Sequence, residues 1–191
     1  MASETLFEKL NYTSARRESR LSIANWVLSR PEVFSELLDF CFHTKEDISY
    51  KACWTLEFVC LERLELLFPH LDCYFENLPK VYKDQAVRPL AKICELLAVQ
   101  YYKANNTELN KVLIDSHKKI MISCCFDWLI TNQRVACEVY AMSALYYLGT
   151  ETDWIHTELK TIIESNVHQR SAGYKARGKK VLAQITKCRH K

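Results

Sequence analysis

Glycine and proline are scarce in this chain, with three glycines and four prolines among 191 residues. Strand-rich folds and α/β folds that cradle phosphate need many glycine turns, so the scarcity favours helices joined by short polar links. The sequence also lacks a glycine-rich phosphate loop. We therefore expect an all-α protein with no convincing strand.

Long apolar runs are also missing. The longest apolar stretch without a charge, from Val139 to Leu148, is far shorter than the roughly 20 residues of a membrane-spanning helix. The first residues lack the basic segment and apolar run of a secretory signal. The sequence therefore predicts a cytoplasmic protein that does not enter the membrane.

The nine cysteines are odd in number, form no Cys-x-x-Cys pair and lie mostly within apolar helical stretches. This usage indicates buried free thiols in a reducing compartment. The segments Cys41-Phe42-His43 and Asp153-Trp154-Ile155-His156 are isolated, without the paired spacing that structural zinc requires. We expect no metal site and no cofactor.

Charge is unevenly distributed along the chain. No acidic residue follows Glu164, whereas eight basic residues do, and the preceding part has 18 basic and 23 acidic residues. Such asymmetry marks either an interaction end or an exposed last helix. The predicted basic contact, through which nucleic acid could bind, comprises Lys175, Arg177, Lys179 and Lys180.

A short pattern recurs along the chain. Val87-Arg88-Pro89-Leu90-Ala91 opens a helical stretch, and relatives of it begin at Ile48, Val135 and Ala172, in steps of 39, 48 and 37 residues. The starts of the preceding helices, near Pro31, Pro69, His117 and His156, are separated by 38, 48 and 39 residues. Units of roughly 40 residues with two helices each predict a helical solenoid.

These markers predict one helical-repeat domain over residues 1–191, a short right-handed α-α superhelix of about four to five helical hairpins. Its parts are two opening helices (1–29), repeats 1 and 2 (30–102), a polar insertion (103–115) that holds the excess of the long step, and repeats 3 and 4 (116–188).

Several local features follow from residue type. Thr13 or Ser14 is expected to cap the second helix, and Gly149 to stop another. Pro89 predicts a kink or a later start in the helix that Asp84 would cap. The small residues Ala52, Ala91 and Ala176 are expected where paired helices approach closely.

The segment Asp84-Gln85-Ala86-Val87-Arg88-Pro89-Leu90-Ala91 resembles the HEAT repeat, which is similar to the armadillo repeat. In that family an Asp in the inter-helix turn precedes a Val-Arg-x-x-Ala opening of the inner helix, and Pro begins the outer helix. Pro31 with Asp47, and Pro69 with Asp84, carry both marks. The third unit lacks the Pro and has Asn132 for Asp, and the fourth has only the spacing and the Ala. The resemblance covers most of residues 30–188.

The resemblance implies a non-catalytic scaffold that holds a protein partner on the face of its inner helices. The candidate binding residues there are Lys51, Trp54, Glu57, Arg88, Lys92 and Glu95. Such a cluster could bind an anionic peptide or a small polar ligand. It could equally be a surface ladder of ion pairs, such as Asp84 with Arg88 and Lys92 with Glu95.

Two alternatives stay open. Alkylpurine DNA glycosylases are similar in size and in their helical repeats, and they imply a nucleic-acid binder that uses basic helices. A lyase of the adenylosuccinate lyase type is the third hypothesis, but the Ser-Ser-x-Met-Pro-x-Lys-x-Asn loop of that superfamily is missing from the sequence. For catalysis, Glu57 and Glu95 are possible acid/base groups by position only. His117 lies two helical turns from Cys124, too far for direct proton transfer.

Overall fold

The computed structural model describes residues 5–131 and 133–188. Within them the chain forms α-helices, three short 3₁₀ segments (Pro31–Val33, Leu64–His70 and Leu78–Lys80) and no strand, as the sequence predicts. The eleven α-helices of the described residues are α1 (Leu6–Asn11), α2 (Arg17–Leu28), α3 (Phe34–Cys41), α4 (Ile48–Glu62), α5 (Leu71–Asn77), α6 (Asp84–Tyr102), α7 (Thr107–Val112), α8 (Asp115–Ile130), α9 (Val135–Leu148), α10 (Asp153–Asn166) and α11 (Ala172–Cys188).

Four helix pairs match the predicted hairpins: α3 with α4, α5 with α6, α8 with α9, and α10 with α11. We call the second helix of each pair, together with α2, an inner helix. The right-handed superhelix and the division into one domain with the stated boundaries stay predictions. Asn132, residues 1–4 and residues 189–191 lie outside the described residues, so the expectations that rest on them are not addressed.

Two compact units divide the chain, Met1–Ile93 (unit 1) and Cys94–Lys191 (unit 2). In unit 1, α4 packs against both α2 and α3. The predicted apolar stripe of α3 is buried at Phe34, Leu37, Leu38 and Cys41, and each such side chain contributes about 1.5–3 kcal/mol when it leaves water. The buried Tyr74 hydroxyl donates to the Leu90 carbonyl at 3.0 Å and so joins α5 to α6.

Two local predictions in unit 1 are wrong. Arg16, and neither Thr13 nor Ser14, is the N-cap of α2. The Thr13 hydroxyl instead donates to the Lys9 carbonyl at the end of α1, and the Ser14 hydroxyl accepts from the Arg16 amide within the connecting loop. Asp84 does not precede α6 as its cap either, because it is the first residue of the helix. Of the kink or later start expected at Pro89, the later start therefore does not occur, and the kink stays a prediction.

Unit 2 contains a helix where the sequence suggested only a polar loop. Asn106 caps α7 by accepting hydrogen bonds from the amides of Glu108 and Leu109, at 3.1 and 3.0 Å. The preceding Asn105 has a φ of 53°, a conformation that asparagine tolerates better than most residues. Leu109 is fully buried and anchors the short helix.

Gly149 ends α9 as predicted, but with a φ of −69° rather than a left-handed conformation. The reason for glycine is space, because a Cβ there would lie 2.2 Å from Cδ2 of His156. The buried His156 ring forms a hydrogen bond between Nε2 and the Tyr146 carbonyl at 2.8 Å. Thus His156 of α10 provides a hydrogen-bond partner for the Tyr146 carbonyl in the last turn of α9.

The expected close-packing alanines are confirmed at Ala52 and Ala91, which are fully buried. The expectation for Ala176 is wrong, because that residue is exposed. Gly178, half a turn further along α11, takes the role. A Cβ there would lie 2.9 Å from Cγ2 of Ile163, so the missing side chain lets α11 approach α10.

All nine cysteines are free, as predicted: seven are buried, Cys73 is partly exposed and Cys188 is exposed. None of the described helices combines the length and the hydrophobicity that crossing a bilayer requires.

Candidate binding surfaces on the inner helices

A two-bond ion pair joins α4 and α6 in unit 1. The Arg88 guanidinium donates from Nη1 and Nη2 to the two carboxylate oxygens of Glu57, at 2.9 and 2.6 Å. The Glu57 side chain is only 8% exposed, whereas that of Arg88 is 24% exposed. Two charge-assisted hydrogen bonds offset the cost of burying the carboxylate and fix the guanidinium in one orientation.

Two further predicted residues, Lys51 and Trp54, are held on α4. The Trp54 indole Nε1 donates to the Gln85 carbonyl in the first turn of α6 at 3.0 Å. Its ring packs against Tyr50 with the centroids 5.0 Å apart. Lys51 Nζ donates to the Asn11 carbonyl at the end of α1, at 2.6 Å. These bonds limit the rotamers of both side chains. Lys92 lies partly exposed on α6.

Arginines of α2 lie over aromatic rings of α4. The Arg20 guanidinium carbon is 5.8 Å from the Trp54 ring centroid and 5.3 Å from that of Phe58, and the Arg17 carbon is 5.5 Å from Phe58. We call Arg17, Arg20, Trp54 and Phe58 the arginine–aromatic patch. The sequence shows that Arg17 and Arg20 share a helix face, but nothing in its spacing shows which rings they meet.

In unit 2 the structure brings together residues that the sequence assigned to two separate sites. Arg177 of the basic run lies 3.2 Å from the Glu95 carboxylate and also donates to the Ser143 hydroxyl. Arg177 and Lys180 line one cavity of about 70 Å³ with Glu95, Ser143 and Tyr146. Sequence analysis missed Ser143, because the recurring pattern marks only the opening of α9 at Val135 and its spacing does not show a contact with α11. Lys175 and Lys179 are exposed on α11.

A second arginine of unit 2 also faces a buried carboxylate. The Glu138 side chain of α9 is 1% exposed, and its Oε1 lies 3.1 Å from Nη1 of Arg170. Neither carboxylate oxygen has the geometry of a hydrogen bond, so the contact is ionic. Burial raises the pKa of the Glu138 carboxyl, and the Arg170 charge opposes that rise only in part.

The largest of these cavities in unit 2, about 300 Å³, is lined by Lys118, Tyr102, Glu151 and five other residues. Lys118 Nζ donates to the Tyr101 hydroxyl at 2.9 Å and to Glu151 at 3.0 Å. Burial by itself would lower the pKa of Lys118, but these hydrogen bonds and the Glu151 charge raise it above its ordinary value. The lysine is therefore a protonated structural cation.

Comparison with known proteins identifies the family. A model of the HEAT repeat domain matches residues 7–185, nearly the whole chain. The chain belongs to the HEAT repeat family. The match agrees with the helix pairs and with the resemblance carried by Asp84–Ala91. Searches of curated proteins and of solved structures found no match.

The thiols of Cys124 and Cys125 in this HEAT repeat protein are poor candidates for nucleophiles. Burial raises the pKa of Cys124 to about 12, and it raises the pKa of the fully buried Cys125 well above its ordinary value. Both are therefore thiols at neutral pH, whereas nucleophilic catalysis needs the thiolate. Among the described residues no group of three or more His, Cys, Asp or Glu side chains could hold a metal ion.

Proposed function

We propose that this HEAT repeat protein is a non-catalytic binding module that holds a protein partner on its inner helices. The observation that carries the proposal is the way two arginines are held. Arg88 and Arg177 are 24% and 32% exposed, yet each is fixed by a carboxylate that is less than 10% exposed. A guanidinium held in this way has little rotamer freedom left to lose when a ligand arrives.

The residue types of these surfaces are those of protein interfaces. Arginine, tryptophan and tyrosine are enriched where most of the binding energy is concentrated. The inner helices present Arg20, Arg88 and Trp54 in unit 1, and Arg177 with Tyr146 in unit 2. Both units therefore support the same class of function.

An enzymatic function has less support. The candidate acid/base groups Glu57 and Glu95 are each engaged by an arginine. Burial also raises the pKa of the Tyr102 hydroxyl, and Glu151 adds to the rise. The Tyr102 hydroxyl in the lining of this cavity therefore keeps its proton at neutral pH and is a poor general base.

Nucleic-acid binding through the C-terminal basic helix is the alternative. Its central member, Arg177, already contacts Glu95 and Ser143, so less positive charge faces solvent than the sequence suggests. The exposed Lys175, Lys179 and Lys180 remain. Such binding to duplex DNA would show a steep decline of affinity with salt.

Site-specific photo-crosslinking tests the proposal. A photoreactive amino acid is placed at Lys92 on α6, at Lys180 on α11, or at the exposed Glu36 on α3 as the control, and the full chain is expressed in cells. We expect the same protein to be captured from Lys92 and from Lys180, and not from Glu36. Equal capture from Glu36, or no protein common to the two inner-helix positions, would overturn the proposal. So would tight, strongly salt-dependent binding of duplex DNA.

We also propose a cytoplasmic location, which the cysteines support. Nine free thiols, seven of them buried, suit a reducing compartment better than an oxidising one. Fluorescence microscopy of the tagged full chain tests this, and a secreted or organellar signal would refute it.

A further inference from the structure

Arg20 differs from Arg88 and Arg177 in having no carboxylate partner among the described residues. Within the described residues, its contacts are the rings of Trp54 and Phe58, and its Nε is buried without a hydrogen-bond partner. The one carboxylate nearby belongs to Glu57, whose two oxygens are taken by Arg88. Arg20 is partly exposed, so an incoming group can reach the guanidinium.

The local charge is unbalanced. The charges of Arg17 and Arg88 both act on Arg20, and among the described residues the carboxylate that acts on it is that of Glu57. Burial and the charge of Arg88 lower the pKa of Arg20. Among the described residues, the positive charges of Arg17, Arg20 and Arg88 thus exceed the one negative charge of Glu57 beside them.

The aromatic rings hold the surplus charge in place. A guanidinium on an aromatic face gains cation–π attraction while its edge stays free for hydrogen bonds. Trp54 is itself fixed by its bond to the Gln85 carbonyl. The patch therefore presents a planar double donor, in a fixed orientation, that matches the two oxygens of a carboxylate.

We propose that the arginine–aromatic patch binds a glutamate or aspartate side chain within an acidic segment of the partner protein. The inference rests on the proposed function and names the chemistry of its ligand. The carboxylate would lie against the edge of Arg20, with Arg17 supplying a second positive charge. The partly exposed Trp54 ring would pack against apolar atoms of the segment, whereas the buried Phe58 ring supports the two guanidiniums from beneath.

Charge argues for a peptide over nucleic acid at this patch. Residues 1–93 contain 12 basic and 14 acidic residues, a net charge of −2. A duplex needs several phosphates neutralised over an extended positive surface, whereas this surplus is small and surrounded by an acidic unit. One or two carboxylates of a protein chain are sufficient to neutralise it.

Binding is tested with a short fluorescein-labelled peptide of alternating glutamate and glycine, followed by fluorescence anisotropy with the full chain. The matched control is Arg30, whose guanidinium also lies over a tryptophan, 4.7 Å from the Trp26 centroid, but outside the patch. We expect Arg20→Gln to weaken peptide binding about tenfold, and Arg30→Gln to leave it unchanged within about twofold.

Three results would overturn the inference: no binding of the peptide by the wild-type chain, equal binding by Arg20→Gln and Arg30→Gln, or tighter binding of a fluorescein-labelled oligonucleotide than of the peptide. A twin peptide with glutamine in place of glutamate must not bind. Thermal unfolding of Arg20→Gln should match the wild type, because no ion pair is lost, which separates ligand binding from folding.

The crosslinking experiment distinguishes the two proposals. If the positions Lys92 and Lys180 capture the same protein and Arg20→Gln does not reduce that capture, the proposed role of the arginine–aromatic patch is wrong, whereas the proposed binding function is retained. If capture itself fails, the binding module is wrong, and peptide binding at Arg20 is judged by anisotropy alone.

Discussion

The two units of the molecule differ in how they use arginine. Unit 1 has a net charge of −2 and unit 2 a net charge of +5. Yet within the described residues acidic unit 1 contains two arginines that contact rings and no carboxylate, Arg17 and Arg20, whereas in basic unit 2 Arg170 and Arg177 each contact a buried glutamate. Net charge therefore does not locate a surplus of charge; the pairing between individual side chains does.

The units also differ in how their arginines meet carboxylates. Arg88 places two nitrogens on the two oxygens of Glu57. Arg177 divides its donors between Glu95 and the Ser143 hydroxyl, and Arg170 approaches Glu138 without a hydrogen bond. We expect the contribution to stability to decrease from the Arg88 pair to the Arg177 pair and then to the Arg170 pair, because two well-aligned charge-assisted bonds offset more of the desolvation cost than one.

The largest effect is expected from glycine, which occurs only in unit 2. Gly149→Ala should lower the free energy of unfolding by about 3 kcal/mol, because the new Cβ displaces the His156 ring and its hydrogen bond. Gly173→Ala is the control, since its Cβ would meet Val135 Cγ1 at 3.4 Å and Ser171 Oγ at 3.9 Å, which are ordinary contact distances. Urea denaturation measures both, and a Gly149→Ala protein as stable as the control would contradict the packing described.

Arg88→Ala tests the two-bond pair of unit 1. Without these two bonds the buried Glu57 carboxylate has lost its charged partner. We therefore expect the free energy of unfolding to fall by about 2 kcal/mol. Arg63→Ala, which breaks the exposed pair with Glu65, should change stability by less than about 0.5 kcal/mol. Equal decreases in the free energy of unfolding for the two variants would show that the burial of Glu57 does not increase the contribution of its ion pair.

Glu95→Gln tests the divided contact of unit 2. Arg177 keeps the Ser143 hydroxyl as a partner, so the expected loss is about 1 kcal/mol, smaller than for Arg88→Ala. Ser143→Ala in the same denaturation series separates the two partners. If Glu95→Gln lowers the free energy of unfolding more than Arg88→Ala does, the expected order of the two ion pairs is wrong.

The smallest effect concerns pH. Burial raises the folded-state pKa of Glu138, so the folded state holds its proton more tightly than the unfolded state. Stability should therefore fall as pH rises from the ordinary carboxyl range through the raised pKa. Glu138→Gln removes this decline and should gain up to about 1 kcal/mol at neutral pH. Denaturation across a pH series measures the difference, and parallel curves for the two proteins would refute the assignment.

Much of the fold could be predicted because it depends on neighbours in sequence. The stripe of Phe34, Leu37 and Cys41 repeats every three or four residues, and such spacing defines a helix face without any knowledge of its partner. The helix stop at Gly149 was also predicted. Its cause was not, because the His156 ring that excludes a side chain belongs to the next helix.

The candidate site was predicted only in part. The sequence placed Glu57, Arg88 and Trp54 in one cluster, and the structure brings these three together. Arg20 was placed on a charged face but not in the site, and Arg177 was assigned to a separate basic contact. Contacts between residues 82 positions apart, such as Arg177 and Glu95, depend on how helices pack, which spacing along one helix does not reveal.

The sequence by itself determined that the chain is helical and belongs to a repeat family, because apolar periodicity, few glycines and a recurring pattern are properties of local segments. Tertiary structure alone decided which charges are paired. Arg88 reaches Glu57 across 31 residues of sequence and occupies both of its carboxylate oxygens, so that within the described residues Arg20 contacts aromatic rings and no carboxylate. That outcome depends on helix separation and side-chain direction, which are fixed only when the helices pack.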